Sequence, residues 1–187
     1  GIDQIWAQAG IDVEFKFRLA PFDDTFSLLG NSGNNSPRPT GDLNAIVSAA
    51  NASGGVLDAN PKVINLLLVR IVPGFSQTTD NTANGLAFQP GNGIALWAGS
   101  NLSGFSSGRD VISSVLAHEI GHNLGLSHVT TAQNLMQSGG PDDDGERLTA
   151  SQIATARGSS FLVSVPEPGV SSWLIAIGLA LAIRRRR

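Results

Sequence analysis

Cysteine and tyrosine are missing from the 187-residue sequence, and histidine (three residues) and methionine (one) are scarce. Without cysteine, the chain can form neither a disulfide framework nor a metal site with thiolate ligands. Basic residues are also few: twelve stand against fifteen acidic ones, and four of the twelve are the arginines at 184–187. A surface that binds nucleic acid needs a basic patch to neutralise phosphates. The composition therefore excludes a disulfide scaffold and argues against a nucleic-acid partner.

Apolar residues and glycine are plentiful. The apolar share of 41% is enough to bury a core, and 22 glycines predict many turns. The length suits one ordinary domain with a short appendage, which we place at 1–163 and 164–187. Because the chain begins at Gly1 in what reads as the middle of a helix, we expect the domain at 1–163 to be truncated at its N-terminus, with a targeting segment and a first strand missing.

The spacing of apolar residues predicts helices and strands in mixed order. Four helices are expected from amphipathic stripes and capping residues, at 2–9, 42–51 (capped by Asp42), about 109–123 and 149–158. Four strands are expected from alternating or continuous apolar runs, at 11–19, 63–72, 85–88 and 93–99. This order indicates an α+β domain with helices layered on a sheet.

Residues 118–128 read HEIGHNLGLSH and contain every histidine of the chain. His118 and His122 are four residues apart on a predicted helix, about 40° apart around its axis and about 6 Å along it, so both rings can bind one ion. Gly125 can end the helix in a left-handed conformation, after which His128 can approach the same ion. Three nitrogen ligands leave the fourth position of a zinc ion open, which is typical of a catalytic site.

Glu119 follows the first histidine, where its carboxylate can take a proton from a water on the metal. The five fixed positions of HExxHxxGxxH arise by chance on the order of once in 10⁵ chains of this length. Two alternatives without catalysis stay open: a helix with ordinary histidines and no metal, and a catalytically silent zinc site that stabilises a surface or matrix-binding module. The presence of Glu119 favours an enzyme.

The segment resembles the signature of metzincin zinc endopeptidases, and the only methionine, Met136, lies eight residues after His128. This spacing is similar to the Met-turn of matrixin-like members, in which a buried methionine lies under the metal. The stretch GLAFQPGNGIALWAG resembles their edge strand, Pro-Gly loop and following strand. In that family the edge strand pairs with the substrate backbone, which makes Leu86, Ala87 and Phe88 the candidates for this contact.

The resemblance implies a twisted mixed β-sheet with packed helices, an active-site helix, a Met-turn and a C-terminal helix. It also implies one catalytic zinc on His118, His122 and His128, and hydrolysis of peptide bonds in extracellular or surface proteins. Glu119 would then be the general base. The chain departs from its relatives in two ways. It has no tyrosine for the additional ligand of astacin-like and serralysin-like enzymes, and the auxiliary metal sites of matrixins are not recognisable. The aspartates at 142–144 have the ligand type for calcium, but the interpretation we favour is a solvated loop or a helix cap.

The C-terminal end reads VPEPGVSSWLIAIGLALAIRRRR, with an uncharged stretch at 169–183 directly before the arginines. A helix over this stretch is about 22 Å long, short of the roughly 30 Å hydrocarbon core, so it is a marginal membrane span. The layout, with Pro166, Glu167 and Pro168 ahead of it, resembles the PEP-CTERM sorting signal of Gram-negative bacteria. It implies an exosortase-type partner, a transient inner-membrane anchor, and a final place at the cell surface or outside. A permanent tail anchor and a buried core helix are the alternatives.

Overall fold

A computed structural model describes residues 1–18, 28–29, 41, 43–71, 85–97, 111–138 and 145–165. Four α-helices lie in these ranges: α1 (Ile2–Trp6), α2 (Asn44–Ala52), α3 (Val111–Asn123) and α4 (Ala150–Arg157). Four strands accompany them: β1 (Leu28–Leu29), β2 (Leu66–Ile71), β3 (Gly85–Ala87) and β4 (Ile94–Trp97). The α+β class expected from the sequence is confirmed.

The strands form one mixed sheet in the order β1-β2-β4-β3. Strands β1, β2 and β4 are parallel, and β3 runs antiparallel to β4, with Leu86 opposite Ala95. Among the described strands, β3 therefore has a neighbour on one side only and forms an edge of the sheet. An edge strand carries main-chain N–H and C=O groups that another extended chain can pair with.

Side chains of the sheet alternate between two hydrophobic clusters. Leu67, Val69 and Ala95 pack with α2 on one side, in a cluster that includes the fully buried Leu43 and Ile46. The other side holds Ile94 and Leu96 with α1 and α3, in a larger cluster that also contains Trp6, Leu135 and Met136. The sheet thus lies between α2 and the layer that carries the histidine motif, as period-two alternation along strands requires.

Helix α3 is buried on nearly all of its faces, because every residue from 114 to 124 is buried. A helix that is apolar all round would suit such a place, yet this one carries Ser114, His118, Glu119, His122 and Asn123. Polar groups removed from water need partners in the protein, and this requirement shapes the site.

Several predicted boundaries agree with the structure. The first helix continues as a 3₁₀ turn over Ala7–Ala9 and ends at Gly10, whose φ is +61°. Helix α4 begins with a capping box, in which the Thr149 side chain accepts from the Gln152 N–H and the Gln152 side chain accepts from the Thr149 N–H. The predicted helix at 149–158 is thereby confirmed, together with its start signal.

The predicted strand at 11–19 is wrong as far as the structure describes it. Residues 11–18 form no ladder, and the N–H of Val13 donates instead to Asp3 Oδ1 at 3.1 Å. Phe17 is 90% exposed and Phe15 is 42% exposed, although alternation predicted that they are buried. Alternation makes a strand only where a neighbouring strand offers hydrogen bonds, and none of the described strands lies there.

The apolar run at 63–72 forms a strand only from Leu66 onward, and the prediction that it is buried throughout is wrong at Leu68, which is 62% exposed. Asn65 precedes the strand, and its main-chain N–H donates to the side-chain oxygen Asn92 Oδ1 at 2.8 Å. Its C=O accepts from the N–H of Ile94, so Asn65 is joined to β4 on one side only. A side-chain partner for a main-chain group competes with strand pairing.

Other predictions fall on residues that the structure does not describe. They concern Leu19, Asp42, residues 98–99 and 109–110, the aspartates at 142–144, the motif Pro166-Glu167-Pro168 and the apolar stretch 169–183. Within the described ranges, no helix is long and apolar enough to cross a membrane.

Candidate metal centre

Two of the three histidines lie on α3, one helical turn apart. His118 and His122 are nearly buried, with 4% and 7% of their surface exposed. After the helix the N–H of Gly125 donates to His122 O (2.9 Å), and Gly125 has a φ of +97°, a backbone region that favours glycine. The chain turns back at this point, as the sequence predicted, and brings His128 to the other two.

The three imidazoles each point one nitrogen at a common centre. His128 Nε2 lies 3.1 Å from His118 Nε2 and 3.0 Å from His122 Nε2. The ligand atoms of all three lie within 4.8 Å of one another. Nitrogens that share a tetrahedral zinc at about 2.0–2.1 Å are roughly 3.3 Å apart, so the histidine cluster fits this ion.

Backbone carbonyls orient the two helical histidines. His118 Nδ1 lies 2.6 Å from Leu135 O, and His122 Nδ1 lies 2.8 Å from Leu126 O. A carbonyl only accepts, so each Nδ1 carries the proton and donates it. Each Nε2 is then the unprotonated nitrogen, with its lone pair directed at the centre of the cluster. Such partners fix both the tautomer and the ring orientation of a metal ligand.

Burial keeps the cluster uncharged near neutral pH. It lowers the pKa of His118 from 6.5 to about 4, against a smaller opposite effect of the hydrogen bond to Leu135. The pKa values of His122 and His128 are lowered as well, in both cases chiefly by removal from water. Neutral imidazole is the form that binds metal, so little proton release precedes binding at pH 7.

Glu119 lies beside the cluster and against the edge strand. It is 6% exposed, and burial raises the pKa of its carboxyl to about 8. A cation on the histidines favours the carboxylate and acts in the opposite direction. A Cβ placed on Gly85 would lie 2.7 Å from Glu119 Cγ and 2.9 Å from Oε1. Gly85, the first residue of β3, therefore has no room for a side chain. The sequence analysis did not predict this contact with Glu119.

A protein-family model described as matrixin matches residues 8–153 of the 187. The chain belongs to the matrixin family. The matched segment holds the whole histidine cluster and ends inside α4, and matrixins are metallopeptidases. Together with the cluster, membership points to zinc binding and to a metallopeptidase. No curated protein and no solved structure matches the chain.

Met136, which the family resemblance assigns to the Met-turn, packs directly under α3. It is fully buried, and a Cβ on Gly121 would lie 2.5 Å from its Sδ. The N–H of Val129 donates to Met136 O at 2.8 Å, and the N–H of Met136 donates to Asn134 Oδ1 at 2.9 Å. The turn that carries Met136 is thus tied to the segment that carries His128.

Helix α4 supports this turn through a pair of buried amides that sequence reasoning had also missed. Asn134 Nδ2 donates to Gln152 Oε1 (2.9 Å), and Gln152 Nε2 donates to Asn134 Oδ1 (3.0 Å). The same Gln152 belongs to the capping box at Thr149. The pattern Thr-x-x-Gln is readable as a helix start, but nothing in it indicates the contact with Asn134.

The three residues proposed for substrate pairing lie at the edge of the sheet. Leu86 and Ala87 have 7% and 4% of their surface exposed, and their side chains belong to opposite hydrophobic clusters. Phe88 follows the strand and is partly buried. Both side chains of β3 therefore point into the protein on either face of the sheet, and its main chain forms the edge nearest Glu119.

Proposed function

We propose that this chain is a zinc-dependent endopeptidase in which Glu119 acts as general base. The observation that carries the proposal is the convergence of the Nε2 atoms of His118, His122 and His128, with a buried carboxyl beside them. Zinc bound there would polarise the scissile carbonyl and acidify the attacking water. The open fourth position distinguishes such a site from a closed structural one.

The protein's own groups divide the remaining work. Glu119 accepts the proton of the attacking water and passes it to the leaving amine. The carbonyls of Leu135 and Leu126 hold the imidazoles of His118 and His122 so that the Nε2 lone pairs face the centre of the cluster. The free edge of β3 offers N–H and C=O groups to an extended substrate backbone. Because Gly85 touches Glu119, the paired peptide would pass close to the proton acceptor.

The test compares zinc content and cleavage in matched variants. We expect one zinc per chain by elemental analysis and cleavage of casein that stops with a chelator and returns with zinc. Glu119→Gln should keep the metal and lose roughly 10²–10⁴-fold in kcat, the size of a general-base contribution. Glu14→Gln makes the same chemical change at an exposed site and should leave the rate unchanged.

The outcomes separate the alternatives. Cleavage that persists in Glu119→Gln would overturn the assigned mechanism. One zinc per chain without hydrolysis of any unfolded substrate would favour a zinc-stabilised surface or matrix-binding module. A peptide-library profile of the active protein would then give the cleavage preference.

We propose further that residues 164–187 are a sorting segment and that the peptidase works at the cell surface or outside a Gram-negative cell. The support is the sequence alone: Pro166-Glu167-Pro168, the apolar stretch 169–183 and the arginines after it. An exosortase-type enzyme would process the segment after transient insertion in the inner membrane. In such a host, replacing Glu167 by Ala should leave the protein in the membrane fraction, and unchanged release would contradict this proposal.

A further inference from the structure

Asn123 joins the metal-bearing helix to the turn between β3 and β4. Its side chain is fully buried, and Nδ2 donates to Phe88 O at 2.8 Å and to Gly93 O at 3.3 Å. These two carbonyls flank the turn, which the N–H of Phe88 closes by donating to Gly93 O at 3.3 Å. One amide therefore holds both ends of the hairpin loop.

The orientation of this amide follows from its partners. Two carbonyl oxygens accept only, so the atom that faces them is the nitrogen. Asn123 Oδ1 is buried and has no hydrogen-bond partner among the described residues. An unsatisfied buried acceptor costs free energy, so the asparagine is a poor choice for stability alone. What its amide nitrogen does is hold the carbonyls of Phe88 and Gly93, one at each end of the turn.

A second, exposed link ties the same turn to the other side of the histidine cluster. Gln89 Nε2 donates to Ser127 Oγ at 2.5 Å, and Ser127 directly precedes His128. On the helix side, Asn123 directly follows His122. The turn is thus bonded next to two of the three candidate ligands, one contact from α3 and one from the loop after it.

The turn is tightly packed, so it cannot absorb a displacement of its ends, and such a displacement also moves β3. A Cβ on Gly91 would lie 2.6 Å from Phe88 Cβ, and one on Gly93 would lie 3.1 Å from the Phe88 ring and 3.2 Å from Val47 Cγ2. Phe88 follows Ala87, the last residue of β3. A shift of the Phe88 carbonyl therefore moves the end of the edge strand relative to α3.

We propose that Asn123 is a positioning residue that sets the distance between the edge strand and the histidine cluster. It thereby favours ligands that lie along β3 as an extended strand over ligands that reach only the metal. This inference rests on the proposed function, and it assigns to Asn123 the placement of the strand with which a substrate would pair. When the spacing is fixed before binding, less conformational entropy of the protein is lost as the peptide binds.

Two hydroxamates of different reach test the inference on zinc-loaded protein by calorimetry. Acetohydroxamate reaches the metal alone, whereas acetyl-Ala-Leu-Ala-hydroxamate also offers a peptide backbone to β3. In the unchanged protein the longer ligand should bind at least tenfold more tightly. In Asn123→Ala its Kd should rise about tenfold, while the Kd of acetohydroxamate stays within twofold and zinc stays at one per chain.

Gln89→Ala is the second variant, and because both partners of its bond are exposed it leaves the core intact. It should weaken the longer ligand about two- to threefold and leave acetohydroxamate unchanged, and it decides the matter if Asn123→Ala does not fold. Equal losses on both ligands, or no loss of the longer one, would overturn the positioning role. If the unchanged protein bound acetohydroxamate and gained nothing from the peptide, the inference would fall, whereas the proposed peptidase function falls only if casein is not cleaved.

Discussion

Two regions meet at the candidate site, the metal segment at 118–136 and the edge hairpin at 85–97, and they are held in place differently. The metal segment is organised mostly by its own chain. The bond from His122 to Leu126 spans four residues, and the bond from His118 to Leu135 spans seventeen. Short loops of this kind cost little entropy to close, so the segment carries most of its own geometry.

The edge hairpin depends on distant partners. The bond from Asn123 to Phe88 spans 35 residues, and Gly85 is shaped by the side chain of Glu119. The whole fold determines where the hairpin lies, and it thereby determines the distance between the edge strand and Glu119. From this difference we expect zinc binding and substrate alignment to be separable, so that a substitution can disrupt one and leave the other intact.

The largest effect is expected from the metal segment. His118→Ala removes one ligand and the bond to Leu135, so bound zinc should fall well below one per chain, and cleavage should fall by a factor of at least about 10³. Elemental analysis and a casein assay measure the two losses. His128→Ala, at the more exposed ligand, should lower zinc affinity with a smaller effect on thermal stability. Full activity in His118→Ala would remove the zinc site from the mechanism.

Gly85→Ala should disturb the placement of Glu119 relative to the edge strand while leaving metal binding intact. The added Cβ would lie 2.7 Å from Glu119 Cγ, so the carboxyl has to move. We expect kcat to fall about 10- to 100-fold, part of the general-base contribution, with zinc still at one per chain. Gly158→Ala is the matched control, because its Cβ meets nothing closer than 3.4 Å. Loss of zinc together with activity would show that the two regions are not separable.

Gly121→Ala tests packing inside the metal segment. Its Cβ would lie 2.5 Å from Met136 Sδ in a fully buried place, and overpacking of this kind costs about 1–3 kcal/mol. Alanine's better helix propensity returns up to about 1 kcal/mol, so we expect a net loss of about 1–2 kcal/mol in the free energy of unfolding. Urea denaturation measures it. Combining the change with Met136→Ala should make the two effects less than additive, and strict additivity would contradict the contact.

Gln152→Ala should have the smallest effect of the series. It removes the amide pair with Asn134 and half of the capping box, which together stabilise the turn that carries Met136. A loss of about 1 kcal/mol in the free energy of unfolding is expected, because Asn134 Nδ2 loses its partner while Asn134 Oδ1 keeps the bond from the Met136 N–H. Activity per folded molecule should stay within about twofold, because the hydrogen bond to His118 comes from Leu135, outside this pair. A large fall in kcat would show that α4 also determines the geometry of the histidine cluster, in addition to residues 118–136.

Prediction from sequence succeeded where the relevant contacts are local. The spacing of His118, His122 and Gly125 predicted a helix that ends in a left-handed residue, and both features are present. It failed at 11–18, where alternation predicted a strand and Phe17 is exposed, because a strand needs a partner that the local pattern does not reveal. The roles assigned to Glu119 and to the edge strand stay predictions until the assays above are done.

By itself, the sequence determined the three candidate ligands, the helix that carries two of them, the turn that returns the third, and the α+β class. These depend on residue type and on spacing of about one helical turn, which short-range geometry decides. Only the tertiary structure decided that Gly85 lies against Glu119, that Asn123 holds the hairpin, and that Gln152 supports the Met136 turn through Asn134. Those contacts join residues far apart in the chain, and they arise only after the sheet and helices have packed.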